Sequence, residues 1–219
     1  MATTAGGKVW DGPTRLFHWL LVGLFAYSWW TAAHDEMDRH LVSGTILLAL
    51  LVFRVIWGVI GGSTSRFAQF VQAPRHVVAY LRGGKSVAAA GHNPLGAYSV
   101  VALLVLLVVL VVAGLFSVDV DGLESGPLSY LVSFDHGRLA ARMHGLSFKL
   151  LEALIVLHIL ALVYYRLRGR NLLLPMVTGR DPHLPPGSAV LQPASLVRLM
   201  MAALIAAALA WWVSKGLPL

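Results

Sequence analysis

The chain contains nine histidines and no cysteine, and four of the histidines stand where an imidazole is expensive to place. His18, His40, His144 and His158 lie within or at the ends of long apolar runs, whereas His34, His76, His92, His136 and His183 fall in polar connecting segments and read as ordinary solvated residues. An ionisable group inside an apolar span is a functional candidate by default. Without cysteine the chain has no thiolate zinc site, no iron–sulfur ligands and no covalent haem attachment. Nitrogen ligands are then the natural way for it to hold a redox metal.

The elements that must position these rings are legible as apolar windows. Leu16–Ala33, Leu41–Gly61, Gly96–Val118, Ala141–Arg166 and Leu196–Val213 are each predicted to be a helix that crosses a hydrocarbon core about 30 Å thick. A cleaved signal peptide is the alternative for the first window, but Trp29 and Trp30 crowd the cleavage position, and Asp11-Gly12-Pro13 reads as a capped helix start. Eleven basic residues flank one side of the spans and four the other. That asymmetry predicts a cytoplasmic N-terminus and a C-terminus outside. Acidic residues follow the same division, two inside and seven outside, for net charges of +9 and −3.

Topology then sorts the histidines by depth. His144 and His158 are fourteen residues apart on one helix, a turn of about 1400°, so both leave nearly the same face, separated by about 21 Å along the axis. The first helix enters from inside and carries His18 in its inner half; the second enters from outside and carries His40 at its outer end. The prediction is an inner pair, His18 with His158, and an outer pair, His40 with His144. Zinc would want three or four ligands converging on one point. Two imidazoles facing each other across a bundle suit the axial positions of a low-spin haem, and two pairs predict two b-type haems. Haem propionates need cations, for which Arg39 and Arg142 flank the outer pair, and Arg15, Arg54 and Arg166 the inner one. Each of these arginines would also serve as a snorkelling anchor. Gly44, one turn after His40, and Gly145, next to His144, would let a macrocycle approach the backbone. Lys149 and Glu152, charged and inside the fourth window at i, i+3, read either as a mutual ion pair or as part of a proton or quinone site.

Composition agrees with the bilayer as solvent. Of 219 residues 58% are hydrophobic and 12% charged, about half the charge of a soluble domain, and the mean hydropathy is +0.73. A sequence pI near 10.1 would suit nucleic acid, but the basic residues are scattered in short loops with no basic stripe, so no nucleic-acid partner is expected. Between the second and third spans, Arg66–Arg82 alternates apolar with polar residues and predicts a surface helix broken near Pro74. Leu128–Phe134 predicts a second short apolar stretch lying flat over the outer end. The fold class expected is an all-α integral membrane bundle forming a single domain over 1–219, with a four-helix di-haem core at about 8–170 and an added fifth transmembrane helix at about 196–213.

The run Val9-Trp10-Asp11-Gly12-Pro13-Thr14-Arg15-Leu16-Phe17-His18-Trp19 resembles the first-helix signature of the bacterial cytochrome b561 group and the b-type cytochrome subunits of nickel–iron hydrogenases. Also similar are His40 with Gly44, Phe53-Arg54-Val55-Ile56-Trp57-Gly58, and Arg142-Met143-His144-Gly145 leading to His158, so that the resemblance covers about residues 8 to 180. It implies bis-histidine ligation of two haems in the bacterial inner membrane, and electron transfer between a periplasmic redox partner, such as a cytochrome c or a hydrogenase-like enzyme, and membrane quinone. The chain would then be an electron-transfer cytochrome or a subunit of a quinone-linked oxidoreductase. Its oligomeric state stays open, as does the place of quinone, for which Lys149, Glu152 and Trp57 are candidates. Two alternatives accompany this expectation: a stand-alone superoxide:quinone oxidoreductase, and a non-haem transporter or membrane anchor.

Overall fold

The computed structural model describes residues 7–82, 94–121, 124–184 and 191–216; His92 and Lys85 fall outside them. Five long helices dominate: α1 (Gly12–Ala33), α2 (Met37–Ile60), α5 (Pro94–Phe116), α6 (Phe134–Leu167) and α8 (Leu196–Ser214). Short elements lie between them: a two-residue strand β1 (Gly7–Lys8) before α1, helices α3 (Phe67–Phe70) and α4 (Pro74–Leu81), a 3-10 turn at Ser129–Leu131, helix α7 (Leu173–Thr178) and a two-residue strand β2 (Arg180–Asp181).

Four of the long helices, α2, α5, α6 and α8, are long and apolar enough to cross a membrane. Helix α1 has the length, 22 residues, but His18, Tyr27, Ser28, Trp29 and Trp30 lower its apolarity and it falls short of the same measure. Apolar side chains on these helices point outward in large numbers. Val59, Val105, Leu157 and Leu204 are all more than half exposed, which in water would be a gross liability and against lipid is the expected surface.

The chain divides into two compact units. The first comprises Met1–Phe17, Arg54–Ala102 and Val156–Met201. Within it Asp11 caps α1, its Oδ1 accepting the Thr14 amide at 2.8 Å. Its Oδ2 accepts the Trp57 indole N–H at 3.0 Å and the Ser65 hydroxyl at 2.8 Å. One carboxylate thereby ties the start of α1 to the end of α2 and to the segment after it. The two strands of this unit pair antiparallel, Gly7 opposite Asp181 and Lys8 opposite Arg180. The surface helix predicted to break near Pro74 forms as α3 and α4, with Pro74 as the first residue of the latter.

The second unit comprises His18–Phe53, Leu103–Ile155 and Ala202–Leu219. Its core is a cluster of Leu47, Leu48 and Leu51 from α2, Leu107, Leu110, Val111 and Leu115 from α5, Leu151 from α6, and Ala210 and Val213 from α8, closed by Leu128. Phe25 of α1 packs against this cluster and stacks on Phe148 of α6, ring centres 5.9 Å apart. Helix α8 presents Ala202, Ala206 and Ala210 as its buried side, the small-residue contact by which helices approach closely in lipid. A tight turn joins α1 to α2: Asp35 takes a left-handed φ of 56°, and the Glu36 amide returns to the Thr31 carbonyl at 2.9 Å.

Two expectations are adjusted. Helix α6 begins at Phe134 rather than Ala141, so His136 is an exposed residue in a first helical turn, bonded to Ser133 Oγ at 2.7 Å, and not part of a loop. The stretch Leu128–Phe134 is only partly a surface cover, since Leu128 is drawn into the core.

Candidate functional site

His40 lies in the first turn of α2 and His144 lies ten residues into α6, both in the second unit and both half-buried. Their ring centres are 6.1 Å apart with planes at 89°. Each ring is held by one nitrogen. His40 Nδ1 donates to the Ser28 carbonyl at 2.9 Å, with Ser28 Oγ at 3.2 Å, and His144 Nδ1 donates to the Leu110 carbonyl at 2.7 Å. A carbonyl only accepts, so in each ring Nδ1 carries the hydrogen and Nε2 carries a free lone pair. Neither Nε2 makes a hydrogen bond among the described residues. An N–H to carbonyl bond on the far nitrogen is how ligating histidines are oriented and made more basic. The spacing suits the same use: two metal–nitrogen bonds of about 2 Å, with about 1 Å from each nitrogen to its ring centre, add to about 6 Å.

Helix α5 makes room for this arrangement through Gly114. A Cβ there would stand 2.9 Å from His144 Nδ1 and 3.0 Å from its Cε1, closer than carbon tolerates, so the ring reaches the Leu110 carbonyl because residue 114 has no side chain. Beside the two rings is a cavity of about 390 Å³ lined by Phe25, Gly44, Leu47, Gly145, Phe148 and Arg138, among others. At Gly44 and Gly145 an added Cβ would meet nothing within 4 Å, leaving open space next to each histidine, as expected of a slot for a flat apolar group.

The predicted cations are placed as follows. Arg39 is exposed and ion-paired with Glu36; Arg142 is exposed, and neither lines the cavity, whose basic residue is Arg138, with Nη1 on the Val118 carbonyl at 3.1 Å. In the first unit Arg54 is buried, donating to the Ser65 carbonyl at 3.3 Å, with its guanidinium 4.7 Å from the centre of the Phe67 ring. Arg15 Nη1 donates to the Val177 carbonyl at 2.6 Å. Its Nε, together with Arg66 Nε and Thr64 Oγ1, is buried without a hydrogen-bond partner among the described residues. Of the remaining histidines, His18 is half-buried in α1 and edge-on to Trp19 at 4.9 Å, and His158 is half-buried in α6. Lys149 and Glu152 do not pair with each other; among the described residues the ion pair formed is Arg39 with Glu36.

A sequence model of a protein family described as prokaryotic cytochrome b561 matches residues 9–179. The chain belongs to the prokaryotic cytochrome b561 family. As a cytochrome b561 it is a membrane b-type cytochrome of electron transfer, and the residues present fit the cofactor this implies: nitrogen-tethered histidines at axial spacing, glycines beside them and an apolar slot. No curated protein and no solved structure matches the chain. Sequence reading of this cytochrome missed Ser28, Gly114 and the Leu110 carbonyl. A signal existed for Gly114, a lone glycine inside the Val- and Leu-rich run of α5.

Proposed function

We propose that this cytochrome b561 carries electrons across the bacterial inner membrane between a periplasmic redox partner and the quinone pool, using two b-type haems. His40 and His144 would hold the outer haem through their Nε2 atoms, and the observation that supports this is the 6.1 Å ring separation with both Nδ1 atoms tied to carbonyls. His18 and His158 would hold the inner haem, an assignment supported by their depth order in the sequence and the fourteen-residue spacing on α6. Haem, when bound, supplies a one-electron iron couple at each site. The chain's own contribution is orientation and environment. Ser28 and Leu110 carbonyls hold the imidazoles in the Nδ1–H tautomer and strengthen Nε2 as a donor. Phe25, Leu47 and Phe148 keep water from the slot, and Arg138 supplies positive charge for propionate. Helix α1 is read as a fifth span, which keeps His18 at its depth and the N-terminus in the cytoplasm. An outer charge of −3 repels a small anionic substrate such as superoxide and favours a protein partner.

A reduced-minus-oxidised spectrum of the purified protein is expected to show b-type α-band absorption with two haems per chain. His144→Ala and His40→Ala should each remove one haem, and His158→Ala and His18→Ala the other. Full haem content in His144→Ala would refute the outer assignment, and loss of both haems from every variant would refute independent sites.

A further inference from the structure

Lys149 and Glu152 lie near the middle of α6, a helix long and apolar enough to cross a membrane. Both are exposed, and neither has an ion-pair or hydrogen-bond partner among the described residues. Lys149 stands on the side opposite the bundle: the buried Ser147 and Leu151 each lie about 160° around the helix from it. Charges at this depth are costly, and in membrane proteins they face the bundle interior or pair with one another. Among the described residues these two do neither. Their spacing continues as a pattern, with Lys149, Glu152, Val156, Ile159 and Val163 recurring alternately three and four residues apart, all exposed. Positions so spaced lie along one side of the helix, as a seam between two helices requires, and this row is the one that carries the two charges.

We propose that this face of α6 is a homodimer interface, in which Lys149 of each copy pairs with Glu152 of the other. Two copies with the same membrane orientation are related by a twofold axis along the membrane normal, so their α6 helices run parallel. Lys149 and Glu152 then differ in depth by about 4.5 Å, a gap a lysine side chain spans. The interface is self-complementary, so one such pair generates its mate by symmetry. A foreign helix would have to bring an acid and a base in the matching order; a second copy of this chain brings them by construction. Pairing relieves both charges at once, where an isolated chain would leave both facing lipid.

Because the chain has no cysteine, Val156→Cys carries a single thiol on the seam and Leu157→Cys a single exposed thiol about 100° away. The full-length protein in native membranes is expected to form a disulfide-linked dimer on mild oxidation with the first and not with the second. In nanodiscs, light scattering should give twice the 23.6 kDa chain mass. Lys149→Glu and Glu152→Lys should each halve that mass, because each sets like charges against each other. The double variant carrying both should recover the dimer, and so should the two single variants co-expressed with different tags, since every repulsive contact between them becomes attractive. A monomer in nanodiscs without Val156→Cys cross-linking would overturn the proposal, as would single reversals that leave the mass unchanged, a swap that fails to restore it, or a Lys149-dependent complex with a different protein in place of the dimer. Should a reversal fail to insert, the cross-linking pair decides alone.

Discussion

His144 owes its position to an absent side chain. Its Nδ1 reaches the Leu110 carbonyl at 2.7 Å across the gap left by Gly114, where a methyl group would sit 2.9 Å from the ring nitrogen. Gly114→Ala therefore displaces the imidazole or the helix that faces it, although alanine is the better helix former by about 1 kcal/mol. The expected outcome is a protein that still inserts but loses most of the haem proposed for His40 and His144, read as a drop in haem per chain and a shifted potential for whatever remains. An unchanged spectrum would show that the ring tolerates the shift. Neighbouring glycines make the contrast: Gly145→Ala meets nothing within 4 Å in the protein, so any loss of haem there reports on the macrocycle and not on protein packing.

At the scale of elements, Asp11 joins three segments through one carboxylate. It caps α1 through the Thr14 amide and takes the Trp57 and Ser65 donors, all at 2.8–3.0 Å. Asp11→Ala removes the cap and strands two buried donors, and the sum of those effects is about 3 kcal/mol or more of lost stability. Asp11→Asn keeps the acceptor oxygen for the cap and loses the charge, so it should fall between alanine and the natural residue. Thermal melting in detergent, followed by haem absorbance, ranks the three. The sequence exposes the cap, since Asp-Gly-Pro before an apolar run is a helix start; it is silent on Trp57, 46 residues away. Similar reasons govern the helix ends. The apolar windows locate all five long helices, but α6 starts seven residues before its window because Asp135, His136 and Arg138 read as loop. A helix that leaves the hydrocarbon layer carries polar residues while its backbone continues to bond itself, so hydropathy marks the membrane and not the helix.

For the whole molecule the testable consequence is topology. The proposed cytoplasmic N-terminus would put Ser133, before α6, on the periplasmic side and Arg170, after it, on the cytoplasmic side. In a chain without cysteine, Ser133→Cys should react with a membrane-impermeant thiol reagent added to intact spheroplasts, and Arg170→Cys only after permeabilisation. The reverse labelling would invert the placement of inner and outer haems.

By itself the sequence determined the solvent and the five long helices, because burying charge in hydrocarbon is so unfavourable that hydropathy alone marks them, and it singled out four imidazoles as the ligands proposed here. The depth order proposed for them likewise rests on helix periodicity and loop charge. What only the tertiary structure decided are the things made between elements: that His40 and His144 stand 6.1 Å apart, that Ser28 and Leu110 carbonyls set their tautomers, that Arg138 and not Arg39 or Arg142 lines the slot, and that Lys149 and Glu152 turn outward without pairing. Backbone carbonyls carry no sequence signature, and the direction of a side chain around a helix depends on which neighbours occupy its other faces. Those are properties of packing, which one chain's residue order states only indirectly.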